Sequence, residues 1–260
     1  MSSFEFVQVD RQGPITIVTL NRPEVMNALH YPAHQELDRV FDDFLADPDQ
    51  WVAIVTGAGD RAFCAGNDLK YQAATGDLKA ADNGFAGLTS RPSLDKPLIA
   101  AVNGVAMGGG FELALACDIV VASEKALFSL PEPRVGLVAL GGGVHRLPRA
   151  IGLSRAMDLI LTSRRVGAEE GKSLGFVSRV AAPEALLEEA LAVAREICIA
   201  SPMAIRATKE AVRRGLEGAL DEALRDQMGY PAMEALFASN DFVEGPRAFS
   251  EKRPPQWRGR

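Results

Sequence analysis

The chain has 260 residues, 47% of them hydrophobic and 24% charged, enough to bury one large core and too evenly mixed for a disordered or fibrous protein. Its apolar runs are far too short to span a bilayer, and a net charge of −6 argues against nucleic acid as the main partner. The opening "MSSFEFVQVD" lacks the cationic and apolar regions of a signal peptide, and Cys64, Cys117 and Cys198 have neither metal-like nor disulfide-like spacing, so a cytoplasmic protein is expected.

"FEFVQVDRQGPITIVTLNRP" predicts a hairpin turning around residues 11–14. Residues 33–46 place Leu37, Val40, Phe41, Phe44 and Leu45 on one helical face. "WVAIVTG" and "PLIAAVNG" read as buried strands, "FELALACD" as a helix and "IVVAS" as a strand again, an alternation that points to α/β architecture. Residues 72–93, rich in Gly, Ala and Ser, read either as a mobile lid or as a variable surface loop. From Gly141 onward the pattern is helical: "AIGLSRAMDLILTS", then the amphipathic "PEALLEEALAVAREICIA" between Pro183 and Ser201-Pro202. We expect residues 1–200 to form a mixed α/β core and residues 201–260 a helical layer.

Several near-signatures fail. "GAGDRA" (57–62) follows a strand but leads into "FCAGNDL" rather than a helix, which argues against a dinucleotide site. "GAEEGKS" (167–173) is one residue short of a phosphate loop and puts two glutamates where phosphate would lie; a helix start is expected. His30 and His34 have zinc-like spacing, but no glutamate follows His30, and both read as solvated histidines, as does His145.

Two segments remain. In "VNGVAMGGGFELALACDIVVAS", Gly108–Gly110 precede a helix whose first N–H groups are unpaired and whose partial positive charge favours developing negative charge. The N–H of Gly109 is a candidate oxyanion donor, and Asn67 in "AFCAGNDL" offers a second. Tandem glycines also serve tight helix–strand packing; Glu112, in an otherwise apolar first turn, tips the reading toward chemistry. Glu132, held between Pro131 and Pro133, reads by itself as a solvated turn glutamate unless a partner faces it.

Taken in order, "NRPEVMNAL", "AFCAGNDL", "KPLIAAVNGVAMGGGFELALACDIVVAS", "FSLPEPRVGL", "GGGVHRLPRAIG" and "EGPRAFSEKR" resemble the enoyl-CoA hydratase/isomerase (crotonase) family nearly end to end. The resemblance implies an α/β fold, a crotonase-type β-β-α spiral core with a C-terminal helical trimerisation region, and assembly as a homotrimer or a dimer of trimers. It implies an acyl-CoA thioester substrate, with coenzyme A entering as part of that substrate and no metal or other cofactor. The family's oxyanion pair falls on the backbone N–H groups of Asn67 and Gly109. Its two hydratase carboxylates fall on Glu112, which takes the proton from water, and Glu132, which delivers the α-proton.

Substrate-binding positions implied in the same way are Val25, Met26, Ala28, Leu29, Ala65, Asn67, Asp68, Leu69, Lys70, Gly108 and Leu140. Phe249 and Lys252 match a nucleotide-contacting aromatic and cation, often supplied by a neighbouring subunit. The implied activity is reversible addition of water to a 2-enoyl-CoA. Dehydration of carnitinyl-CoA and double-bond isomerisation are alternatives on the same scaffold, and a non-catalytic CoA- or RNA-binding member is an alternative of another class. Val138, Ala139 and Leu140 make the acyl end apolar, which suits a plain enoyl chain better than a quaternary ammonium group.

Overall fold

A computed structural model describes residues 4–77, 79–91 and 94–260. The predicted hairpin forms as β1 (Val7–Gln12) and β2 (Ile15–Leu20), paired antiparallel across Gly13-Pro14. The strands that follow are β3 (Val52–Gly57), β4 (Ala62–Cys64), β5 (Leu98–Val102), β6 (Val105–Met107), β7 (Ile119–Ser123), β8 (Leu127–Ser129), β9 (Val166–Gly167) and β10 (Arg179–Ala181).

Among the described residues these strands form two sheets, ordered β1-β2-β3-β5-β7-β10 and β4-β6-β8-β9. From β3 to β8 consecutive strands fall alternately in the larger and the smaller sheet and within each sheet pair in parallel with one another, whereas β9 joins β8 antiparallel. Each β–β pair is therefore one turn of a spiral, and the helix after it supplies the crossover that parallel pairing requires.

The larger sheet's parallel strands β2, β3, β5 and β7 are buried on both faces, as parallel sheets generally are, while the antiparallel edge strand β1 is largely exposed. Val18, Leu20, Ala53, Val55, Ala100, Val102 and Ala122 point toward the helix Tyr31–Ala46 and the smaller sheet. The alternate residues Ile17, Val52, Ile54, Ile99, Ala101 and Val121 pack against Leu186, Ala190, Leu191 and Ala194 of the helix Leu186–Cys198. That period-2 division assigns the amphipathic helix of the sequence to the sheet's outer face. On the inner side, Phe111, Phe128 and Phe176 meet with ring centroids 5.0–5.2 Å apart. This cluster fixes the helix Gly109–Ala116 to β8, each aromatic pair contributing about 0.5–1.5 kcal/mol beyond its buried area.

Beyond residue 201 the chain is helical, with helices Pro202–Gly215, Leu220–Asp226, Pro231–Phe237 and Asn240–Ser250. The run read as one helix over "AIGLSRAMDLILTS" is two, Gly143–Ile151 and Leu153–Thr162, broken at Gly152 where φ is +82°. "GAEEGKS" opens the helix Ala168–Leu174, and "GAGDRA" links β3 to β4 with no helix after it. No helix among the described residues is long and apolar enough to cross a membrane.

Two expectations are corrected. The segment 72–93 is neither a lid nor a freely variable loop over its second half; Leu78, Pro92 and Ser93 lie outside the described residues. Phe85, Ala86, Leu88 and Thr89 are buried, and Arg91, also buried, pairs with Asp38 at 2.7 Å while its Nε donates to the Gly87 carbonyl at 2.9 Å. Composition suggested mobility, but Phe85 and Leu88 are core residues carried on a glycine-rich turn, and a desolvated ion pair holds that turn to the helix Tyr31–Ala46. His34 is likewise not solvated. It is 1% exposed, its Nδ1 accepts the Ala86 N–H at 3.0 Å, and its ring stands edge-on to Phe85. Burial pushes its pKa down to about 4, so it is a neutral structural acceptor. His30 is half-buried between Phe6 and Tyr71.

Candidate active site

The three glycines after β6 have three different reasons. Gly108 has φ +53° and ψ −124°, outside the reach of ordinary L-residues, and a Cβ there would lie 2.8 Å from Glu132 Oε1. A Cβ on Gly109 would enter the Phe85 ring, and one on Gly110 would enter the Cys64 carbonyl. So the bend is bare because a carboxylate, an aromatic ring and a parallel strand each come up against it.

The parallel pairing of β4 with β6 sets the "CAGN" turn beside this bend. Gly66, at φ +94°, comes so close that its Cβ position would be 3.3 Å from the Gly109 nitrogen. Asn67 follows immediately. Among the described residues neither the Asn67 N–H nor the Gly109 N–H donates to a backbone acceptor. Two free amides on adjoining turns, one at a helix start, form a donor pair suited to an oxyanion.

Both predicted carboxylates face the same cavity of about 450 Å³, together with Asn67, Gly108, Gly109 and Gly141. Glu112 arrives on the helix Gly109–Ala116, is 4% exposed, and accepts the Gly143 N–H at 2.8 Å. Burial raises its proton affinity, while the Gly143 and Gly141 amides and then the Arg146 charge oppose that rise. Glu132 arrives on the tight turn Glu132–Val135 that leaves β8, and its buried Oε2 has no protein partner among the described residues. Burial pushes its pKa up to about 7; its own backbone amide resists, and the neighbouring charge of Glu112 adds to the rise. The partner that the sequence left open for Glu132 is thus Glu112.

The remaining wall is apolar, made by Phe85, Val135, Leu137, Val138 and Leu140, with Leu140 78% exposed. Ala65 and Leu69 line the cavity as well. Val25, Met26, Ala28 and Leu29 do not; they form the strip under its rim, where Met26 accepts from Ala65 N–H at 3.0 Å and Leu29 donates to Gly66 at 2.8 Å. The Asp68 carboxylate is committed to capping the helix Leu69–Thr75 and to Arg22 at 3.1 Å, and Lys70 is exposed on that helix. Phe249 is 88% exposed on the last helix with Lys252 just beyond it, and neither lines the cavity in the single chain. Sequence reasoning missed Phe85, Thr89, Val135 and Leu137 as lining residues and Gly143 as the donor to Glu112. The second glycine triplet, Gly141–Gly143, was the available signal.

A family model described as enoyl-CoA hydratase/isomerase matches residues 10–260. The chain is 44% identical to carnitinyl-CoA dehydratase of Citrobacter koseri and, equally, of Escherichia coli K12, over 98% of this chain and 99% of each relative. Among solved structures it is similar to enoyl-CoA hydratase EchA1 from Mycobacterium marinum (42% identity, TM-score 0.92) and to an enoyl-CoA hydratase from Mycobacterium tuberculosis H37Rv (40%, 0.91), each over 98% of this chain and 99% of the other. With the spiral of paired strands and the glycine bend facing two glutamates, these matches carry one conclusion: the chain belongs to the enoyl-CoA hydratase/isomerase family.

Proposed function

We propose that this protein is a hydro-lyase that adds water reversibly to the double bond of a 2-enoyl-CoA, giving a 3-hydroxyacyl-CoA. The observation that carries the reading is the placement of Glu112 and Glu132 in one cavity beneath the free amides of Asn67 and Gly109. The thioester carbonyl accepts from both amides, which stabilise the enolate-like charge formed when water attacks the β-carbon; one such donor is worth roughly 3 kcal/mol. Glu112, kept more anionic by its amide donors, takes the proton from that water. Glu132, which holds its proton up to about pH 7, delivers one to the α-carbon. In the reverse direction the roles exchange. Coenzyme A arrives with the substrate, and the chain's own groups carry the chemistry without a resident cofactor or metal.

In this reading residues 1–200 hold the thioester site, and residues 201–260 carry the contacts of a trimer or pair of trimers. The exposed Leu216, Leu220, Leu224 and Met228 supply an apolar surface for that purpose. Its free cysteines, two of them buried, fit a cytoplasmic setting.

The identity to carnitinyl-CoA dehydratases favours a second reading, dehydration of carnitinyl-CoA to its enoyl form. Against it, the cavity's only carboxylates among the described residues are the two catalytic candidates, and apart from the buried Phe85 its apolar wall is aliphatic. The test is loss of the conjugated thioester absorbance with crotonyl-CoA, longer homologues and crotonobetainyl-CoA, with products weighed by mass spectrometry. Added water with simple enoyl chains supports the first reading, and turnover confined to crotonobetainyl-CoA supports the second. An unchanged product mass indicates isomerisation, and binding without turnover of any substrate removes catalysis altogether.

A further inference from the structure

Arg146 is a half-buried cation that the proposed chemistry does not use. It leaves the first turn of the helix Gly143–Ile151 and reaches two separate segments: Nη2 donates to the Thr89 carbonyl at 2.6 Å and Nη1 to the Gly141 carbonyl at 3.1 Å. Both of those residues line the cavity. Gly141 begins the turn whose amides face Glu112. The Gly143 N–H donates to Oε1 at 2.8 Å, and a Cβ on Gly141 would lie 2.6 Å from Oε2. Between them Gly142 sits at φ +106°, and a Cβ there would run into the Arg146 guanidinium. The three-glycine turn is therefore gripped on one side by a carboxylate and on the other by a cation.

We propose that Arg146 is a positioning residue: its guanidinium holds the Gly141–Gly142 peptide plane and the Thr89 segment together, so that the turn's N–H groups stay aimed at Glu112 and keep that carboxylate ready to take a proton from water. The inference rests on the reading of Glu112 as the base. A guanidinium presents several donors in a rigid planar fork, whereas a lysine ammonium carries its donors on one atom of a flexible stem and cannot span two carbonyls with two separate nitrogens as Arg146 does. Without the fork, the half-buried Gly141 carbonyl loses its donor and the glycine turn is free to rotate its amides away. The charge acts as well, since Arg146 opposes the rise that burial imposes on the Glu112 carboxyl. The groups facing Arg146 are Glu112, Arg213 and Cys117; burial and then Arg213 pull its own pKa down, and the buried Cys117 thiol, pushed up to about 12, stays neutral.

The experiment is the pH dependence of kcat and KM for hydration of crotonyl-CoA by wild type, Arg146→Gln, Arg146→Lys and Glu112→Gln, with thermal melting of each. Arg146→Gln is expected to lower kcat about 10–100-fold, to change KM less than about threefold, and to move the acidic limb of the profile up by about one pH unit. Arg146→Lys is expected to keep the limb near its wild-type position while kcat stays depressed. A folded Arg146→Gln with an unmoved limb and a wild-type kcat per folded molecule overturns the proposal. Should that variant not fold, full kcat in Arg146→Lys overturns it instead. Near-wild-type activity of Glu112→Gln overturns the assignment of the base and this inference with it. An inactive Glu112→Gln beside an unshifted Arg146→Gln overturns the inference alone.

Discussion

The helix start Gly109–Glu112 and the turn Pro131–Val135 each present one glutamate to the same cavity, and they treat it differently. Glu112 is nearly sealed off yet receives backbone donors from the Gly141–Gly143 turn and the charge of Arg146. Glu132 is less enclosed, but among the described residues its inner oxygen finds no donor, and the charge that bears on it is the repulsive one of Glu112. Depth of burial alone would make Glu112 the stronger proton holder. Hydrogen bonding reverses that order, because donors to the ionised form favour it. Two like carboxylates thereby differ in proton affinity, which supports the proposed pairing of a base with an acid.

The sharpest way to break that comparison is to neutralise each carboxylate. Glu112→Gln and Glu132→Gln are each expected to lower kcat for hydration by about 10²–10⁴-fold, and the double variant should fall short of the product of the two, because in the proposed reaction the pair acts on one water. Steady-state assays on purified variants of matched fold check this, and strictly multiplicative losses would count against a shared water. Next in size is Gly109→Ala, whose Cβ enters the Phe85 ring and displaces the amide; a loss of about 10²–10³-fold in kcat is expected, with folding monitored by melting. Gly108→Ala should be milder in chemistry but costly in backbone, since it meets a φ of +53° and the Glu132 carboxylate; about 1–2 kcal/mol of stability is expected to go.

A pH series sharpens the comparison without mutation. Both directions use the pair carrying a single proton, on Glu132 for hydration and on Glu112 for dehydration, so kcat/KM for hydration and for dehydration should fall together as pH rises through about 7. The apparent values belong to the coupled pair. The smallest effect is on stability. Glu132 has its folded pKa raised from 4.5 to about 7, so the folded chain binds the extra proton between those values, and stability falls as pH rises through the window. Glu132→Gln removes that penalty. It should melt a few degrees above wild type at pH 8, a gain of at most about 3 kcal/mol before screening by its partial exposure, and match wild type near pH 4.5.

Much of the site was legible before any coordinates. Gly108–Gly110 with Glu112, the "CAGN" turn and Pro-flanked Glu132 all occupy short segments whose local conformation is dictated by glycine, proline or a helix start. What escaped notice was whatever depends on distant chain crossing. Phe85 and Thr89 lie in a stretch whose composition resembles a loose loop, yet they form the cavity's inner side. His34 looked solvated because nothing adjacent in sequence shows that Ala86, 52 positions away, donates to it.

The sequence by itself determined the alternation of strand and helix, the bare bend after β6 and the glutamate in its helix start, because periodicity, glycine content and turn chemistry are local properties; Glu132 entered only through the family resemblance. Only the tertiary structure shows that the two glutamates sit in different surroundings, which supports the proposed division into base and acid. That difference arises from amide donors 31 residues from Glu112, a guanidinium on another helix, and the proximity of one negative charge to the other. Proton affinity depends on the surrounding field and solvation, and those exist only once the spiral of strands has closed around the cavity.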